Sequence, residues 1–258
     1  MPDSLREIGD APLVVTVGNA LCYENVEQFV DAVRRKLSDG HRALVLDLGK
    51  VEMVDSSGLR ALLRIRKSCE DAGVQFRLGS VSDCVARILT ISRLNELFGV
   101  EERAWGPRPI GPLPTLDLSS EHRRIHEYRA TSDPAVIAGL REKAVVAAVE
   151  AGAAGDLLCD IQIAIGEALT NAYKHGSPKK GIDEIQLRCV SCPGAIVFEV
   201  QDEGHPFDPD GPGEPDPRRM NDHGMGIYLM RQAMDVVEFA CDCPGNRVRM
   251  VKWLGDSG

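Results

Sequence analysis

A chain of 258 residues, 43% apolar and 27% charged, can bury sizeable cores and is long enough for two domains. The net charge of −9 is uneven: the residues through Thr115 carry −1 and the rest carry −8. Neither half offers the basic face that nucleic acid needs, no apolar run approaches the ~20 residues that span a bilayer, and no signal-peptide pattern opens the chain, so a cytoplasmic protein is expected.

Leu13 to Val17 reads as a strand. Val26, Phe29, Val30, Val33 and Leu37 repeat at the spacing of one helix face, and Gly40 stops that helix. Ala43 to Leu48 is a short apolar run, the mark of a buried strand. Leu59, Leu62, Leu63 and Cys69 predict a second helix ended by Gly73, and Val74 to Leu78 a strand. Val85, Ile88 and Leu89, then Leu94 to Phe98, predict two short helices. Strands alternating with helices point to an α/β layered domain. Trp105 to Pro114 holds four prolines and two glycines in ten residues, which suits a stiff linker and neither helix nor central strand.

A strand near Ile125 to Ala130 opens the second half. Ser132-Asp133-Pro134 starts a helix with a cap and an early proline. Gly152 to Gly155 breaks it, and another helix is predicted over 156–174. Hairpins follow at 184–201 and 236–253, separated by a Gly-, Pro- and Asp-rich loop over 203–222 and a helix over 226–234. Eight cysteines in a cytosolic chain argue against a disulfide framework. Cys189-x-x-Cys192 and Cys241-x-Cys243 have metal-site spacing, but zinc would require two hairpin tips to converge, so free thiols are expected.

Glu167 and Asn171 stand four apart on a helix face otherwise made of Ile161, Ala164, Ile165, Ala168 and Ala172. Polar groups are expensive on an apolar face unless they are used. An Asn oxygen suits Mg²⁺, and a Glu one turn away can deprotonate a hydroxyl. Asp202 ends a strand, where its carboxylate can accept from an adenine amino group, and Gly204 allows close backbone approach. Gly224-Met225-Gly226 precedes a helix whose free N–H groups can meet phosphate. Lys174 and His175, at the end of the Asn171 helix, either meet phosphates or form a polar helix end.

In order and spacing these elements resemble the N, G1 and G2 boxes of the GHKL ATP-binding fold. The stretches Ile165-Gly-Glu-Ala-Leu-Thr-Asn-Ala172 and Gly226-Ile-Tyr-Leu-Met-Arg-Gln-Ala-Met-Asp235 resemble bacterial anti-sigma factor serine kinases, over about Glu121 to Leu254. The resemblance implies Mg²⁺ on Asn171, Glu167 as general base, adenine on Asp202 and an ATP lid from Gly204 to Asp222. Two departures stand out. Asn246-Arg247 replaces a Thr that helps the Asp hold adenine. Asp222-His223 stands where some members carry an Arg near the γ-phosphate, Arg218 and Arg219 being the nearest candidates.

In the first half, Val54-Asp55-Ser56-Ser57-Gly58-Leu59 joins a strand region to a helix, with Asp55 or Ser56 as a natural N-cap. A phosphate there would meet the positive end of that helix. The stretch, with the strand Leu44 to Leu48 before it, resembles the STAS domain of anti-sigma factor antagonists, over about Pro12 to Glu101. The resemblance implies phosphorylation at Ser56, with Ser57 as the alternative.

The expected organisation is therefore α/β (α+β): a STAS-like mixed sheet with helices over 1–104, a Pro-rich linker over 105–120, and a GHKL (histidine-kinase-like ATPase) α/β sandwich over 121–258. The expected function is partner switching on a sigma factor, by an ATP- and Mg²⁺-dependent serine kinase fused to its own antagonist. Other STAS proteins and a serine phosphatase are expected partners, and a homodimer the expected assembly. The alternative is an ATP-binding switch without kinase activity. Whether the two halves meet within one chain or across a dimer is left open by the linker.

Overall fold

The computed structural model describes residues 12–37, 40–101, 123–211, 215–216, 224–241 and 245–255. The expected linker, Arg218, Arg219, Asp222, His223 and Cys243 lie outside the described residues.

The first half builds a parallel three-stranded sheet in the order β1 (Leu13–Thr16), β3 (Ala43–Leu48), β5 (Gln75–Val81). A short parallel pair, β2 (Ala20–Leu21) with β4 (Met53–Val54), lies beside it and was not foreseen, being only two residues long in each strand. The N-terminal pairings among the described residues are all parallel, so any antiparallel member of the expected mixed sheet falls outside them. Helix α1 (Val26–Leu37) packs on α2 (Ser56–Asp71). Asp55 caps α2, its Oδ1 accepting from the amides of Ser57 at 2.8 Å and Gly58 at 3.0 Å. A Cβ at Gly58 would collide with the Leu21 carbonyl, so glycine lets the first turn of α2 sit against β2.

Helix α3 (Asp83–Ile91) buries Cys84, Val85, Ala86, Arg87, Ile88, Leu89 and Ile91. A helix buried all round needs cover on two sides. Its own sheet region supplies one side and the second half of the chain the other. A single turn, α4 (Asn95–Phe98), follows.

The second half is an antiparallel sheet in the order β6 (Arg124–Thr131), β7 (Glu184–Cys192), β8 (Ala195–Gln201), β10 (Arg247–Trp253), β9 (Val236–Ala240). Helices α5 (Pro134–Glu150), α6 (Gly155–Lys174) and α7 (Met225–Ala233) pack on it. Alternate strand residues divide between two apolar clusters, as the period of two requires. Ile196, Phe198, Val200, Val248 and Met250 join the main core, while Ala195, Val197, Val251 and Trp253 form a smaller one. Lys252 shares the parity of Met250, which carries its ammonium to the buried Asp160 on α6 at 2.7 Å.

The hairpin turns at Gly194 and Gly245 lie at opposite ends of the sheet, because Ala195 pairs with Trp253 and Gln201 with Arg247. Cys192 therefore stands at one end of the sheet and Cys241 at the other. Among the described residues no three His, Cys, Asp or Glu side chains are grouped to hold a metal, and burial pushes the Cys189 thiol up to about 12. No helix among the described residues is long and apolar enough to cross a membrane.

The main core is continuous between the halves, running from Val17 through Ile88 and Ile165 to Met250. α6 packs against β4 and α3, and α7 against α2 and α3.

Candidate functional site

Helix α6 carries Glu167 and Asn171 on one face, as their spacing predicts. The strand β8 ends at Gln201 and delivers Asp202 beside them. The turn after β8 is tight: a Cβ at Gly204 would strike the backbone of Gly176, and one at Gly176 would strike the Asp202 carboxylate. A Cβ at Gly226 would run into the Glu167 carboxylate, so glycine is what lets α7 close on α6.

A cavity of about 330 Å³ opens between these elements. Asp202, His205, Phe207 and Asn246 line it where Gly176, just beyond α6, meets the turn after β8; Asn171, Lys174, His175, Gly224 and Gly226 line it further; Ser56, Arg60 and Thr170 line it up α6 toward Glu167. Gly204 supports the Asp202 turn without lining the cavity, and Met225 is buried in the core. Lys174 directs its ammonium to the first half of the chain, donating to Ser57 Oγ at 3.3 Å and lying 4.4 Å from the Tyr23 ring centroid.

Asn246 holds Asp202. Its Nδ2 donates to Asp202 Oδ1 at 2.9 Å, its own amide does so at 3.3 Å, and the Gly204 amide adds a third bond at 2.9 Å. The Asn246 Oδ1 is buried without a partner. An acceptor left over beside a fixed carboxylate matches the exocyclic amino group of adenine, which brings two donors. The cavity could thus take a nucleotide, with base acceptors at one end and Asn171 and the α7 amino terminus open to phosphates and Mg²⁺.

The Asp55–Gly58 turn of the first half sits against the catalytic candidate of the second. The Ser56 hydroxyl donates to Glu167 Oε2 at 2.9 Å, and the Ser56 amide donates to Glu167 Oε1. Both residues are buried, Glu167 completely. Burial first, and the Asp55 charge second, push the Glu167 carboxyl up to about 7, against the opposing bonds from Ser56 and the Arg60 charge. A base poised near neutrality, bonded to a hydroxyl, is suited to remove that proton.

A second layer fixes the loop. Asp55 Oδ2 accepts from the Tyr23 amide at 3.0 Å and from Thr170 Oγ1 at 3.3 Å. Arg141 on α5 donates to Thr170 at 2.9 Å and pairs with Glu24 at 2.8 Å. Further off, Arg87 on α3 pairs with Asp160 at 2.6 Å, and Lys252 bonds the other Asp160 oxygen. Cys84 and Cys159 bring their sulfurs to 2.8 Å across the same contact.

Residues 130–252 match the histidine kinase-like ATPase domain and residues 4–104 the STAS domain. The second half is similar to the serine-protein kinase RsbW of several bacteria. The relative from Listeria monocytogenes serotype 4a is 30% identical over 117 residues, 42% of this chain and 74% of its own. The chain belongs to the RsbW serine-protein kinase family. RsbW from Bacillus licheniformis is 29% identical over 138 residues, covering 50% of this chain and 84% of its own, and that from Bacillus subtilis is 29% identical over 136. The crystal structure of the RsbU and RsbW domains of Rv1364c from Mycobacterium tuberculosis is a distant neighbour, at 15% identity and a TM-score of 0.38 over 50% of this chain and 32% of that one. The fit to the ATPase domain and to named kinases implies ATP binding in the RsbW-like half.

Proposed function

We propose that this chain is a self-modifying partner switch: an ATP-dependent serine kinase that phosphorylates Ser56 of its own STAS domain and thereby frees its kinase half for a sigma factor. The observation that carries this reading is the Ser56 hydroxyl bonded to Glu167 at 2.9 Å, at the edge of the nucleotide cavity. Likeness to RsbW supports partner switching, and the STAS match supports an antagonist partner.

Asp202, Asn246, His175, Gly224 and Gly226 would hold ATP, with Gly204 shaping the Asp202 turn and Asn171 on Mg²⁺. Bound there, ATP supplies the phosphoryl group and Mg²⁺ offsets the charge on its phosphates. The residues of this chain do the rest. Asp55, held by Thr170 and Arg141, sets the first turn of α2. Glu167 Oε2 takes the proton from Ser56 Oγ, leaving the oxygen nucleophilic and aimed into the cavity. Burial of the pair excludes water from the attacking position.

Phosphoserine at 56 would add close to two negative charges beside the buried carboxylates of Glu167 and Asp55. Like charges at that range in a dry contact repel strongly, so the modified loop leaves. The vacated face of α6 and α7 then serves the sigma factor. A serine phosphatase would restore Ser56, and unphosphorylated STAS domains of other proteins could compete for the same face. The contact seen within one chain favours transfer in cis; a homodimer would enter as the route for exchange.

Phosphosite mapping by mass spectrometry, after incubating the pure protein with Mg-ATP, tests the reading. Phosphate on Ser56, absent in Glu167→Ala, is expected. ATP bound with no phosphoserine would replace it by the non-catalytic switch.

A further inference from the structure

Arg60 stands one turn beyond Ser56 on α2, so the two share a helix face. Arg60 belongs to the STAS half, yet it lines the nucleotide cavity together with Ser56, Asn171, Gly224 and Gly226. Ser56 marks the end of the cavity where a terminal phosphate must lie if this serine is the acceptor. Asp202 and Asn246 mark the base end. Arg60 therefore sits at the phosphate end, and its charge reaches Glu167, where it opposes the burial of the carboxyl. Lys174, the other long cation of the cavity, is turned to Ser57 and Tyr23.

We infer that the STAS domain completes the nucleotide site of the kinase half by supplying Arg60 as a ligand for the terminal phosphate. The inference rests on the kinase reading above for the direction of the nucleotide. A guanidinium presents a planar fork of donors that matches phosphate oxygens, so its contribution depends on geometry as well as charge. Two consequences follow. The docked chain discriminates ATP from ADP through a residue that the kinase half does not own. Because binding linkage is reciprocal, a triphosphate in the cavity also tightens the docking of the STAS domain. The substrate domain thus reports its own presence to the nucleotide site, and ADP left after transfer loses the contact that favoured docking.

The test is a binding measurement on the full chain. Affinities for a non-hydrolysable ATP analogue and for ADP are measured by titration calorimetry with Mg²⁺, for the natural chain and for Arg60→Gln and Arg60→Lys. Arg60→Gln is expected to weaken the triphosphate about tenfold, within the usual span of such couplings, with ADP changed less than twofold. Arg60→Lys should fall between, keeping the charge and losing the fork. Hydrogen exchange of the peptide spanning residues 54–63 is read in parallel: the triphosphate analogue should slow exchange in the natural chain and leave Arg60→Gln unaffected. Equal loss for both nucleotides, or no change for either, would overturn the inference. Failure of the natural chain to bind any nucleotide would instead overturn the kinase reading, and this inference with it.

Discussion

The nucleotide cavity and the contact between the two halves are built on opposite plans. The cavity depends on close backbone approach: Gly176, Gly204 and Gly226 stand where a side chain would strike Asp202, Gly176 or Glu167. The contact depends on side chains, and on charged ones. Arg87, Asp160 and Lys252 form one buried cluster, and Glu24, Arg141, Thr170, Asp55 and Ser56 form a chain leading to Glu167. Apolar packing also continues across the boundary. The difference suits the two jobs. On the proposed function, a permanent pocket gains from a rigid backbone, whereas a contact to be broken by one phosphate gains from being held by charge. Buried ion pairs add little net stability over apolar packing but respond steeply when a single charge is changed.

Removing a charge from the distal cluster should have the largest effect. Asp160→Ala takes the shared carboxylate away from the buried Arg87 and Lys252 and is expected to cost about 3–5 kcal/mol in chemical denaturation. A loss below about 1 kcal/mol would mean that the apolar core alone holds the halves together. Next comes Ser56→Asp, which places a carboxylate against Glu167 and Asp55 without removing any distal pair. Docking should weaken by about 2–3 kcal/mol, read as faster hydrogen exchange in α2 and α3, with the nucleotide cavity intact. Unchanged exchange would show that charge at this serine does not control the contact.

The Glu167 carboxyl, raised from 4.5 to about 7, gives a pH signature. Between those values the folded chain keeps a proton that the unfolded chain has lost. This group's contribution to stability therefore falls as pH rises from about 4.5 to about 7, while its competence as a base rises. Single-turnover phosphorylation should increase about tenfold from pH 6 to pH 8 and then level off. A flat profile would remove Glu167 from the role of base. The smallest effect belongs to the cavity: Asn246→Ala should weaken ATP about fivefold, in line with one lost hydrogen bond, and Asn246→Thr should restore most of it.

The two regions also differ in how much of them could be read beforehand. Elements with strong periodicity, such as α1, β3 and the hairpin strands β8 and β10, lie where the pattern places them, because burial enforces that period. Glu167, Asn171 and Asp202 were legible as polar residues at fixed spacing around one fold. The contact was not, since Ser56 and Glu167 are 111 residues apart and no local pattern links them. Arg60 carries no mark in the sequence that ties it to the cavity it lines. Thr170 and Arg141 lay inside helical runs with nothing to mark them. Asn246 stands where the resemblance calls for a Thr, yet its amide holds Asp202 directly. A sign of the contact in the sequence is α3, whose run from Cys84 to Ile91 is apolar but for Arg87 and Thr90, more than a helix with one exposed face needs.

The central claim, transfer to Ser56 within one chain, is tested most directly by the rate of Ser56 phosphorylation measured over a hundredfold range of protein concentration. A Glu167→Gln chain mixed with a Ser56→Ala chain serves as the exchange control. A first-order rate constant independent of concentration, with no phosphate appearing on the Glu167→Gln chain, is the predicted result. A rate constant that rises in proportion to concentration, or phosphate on the Glu167→Gln chain, would contradict it and place the reaction between molecules.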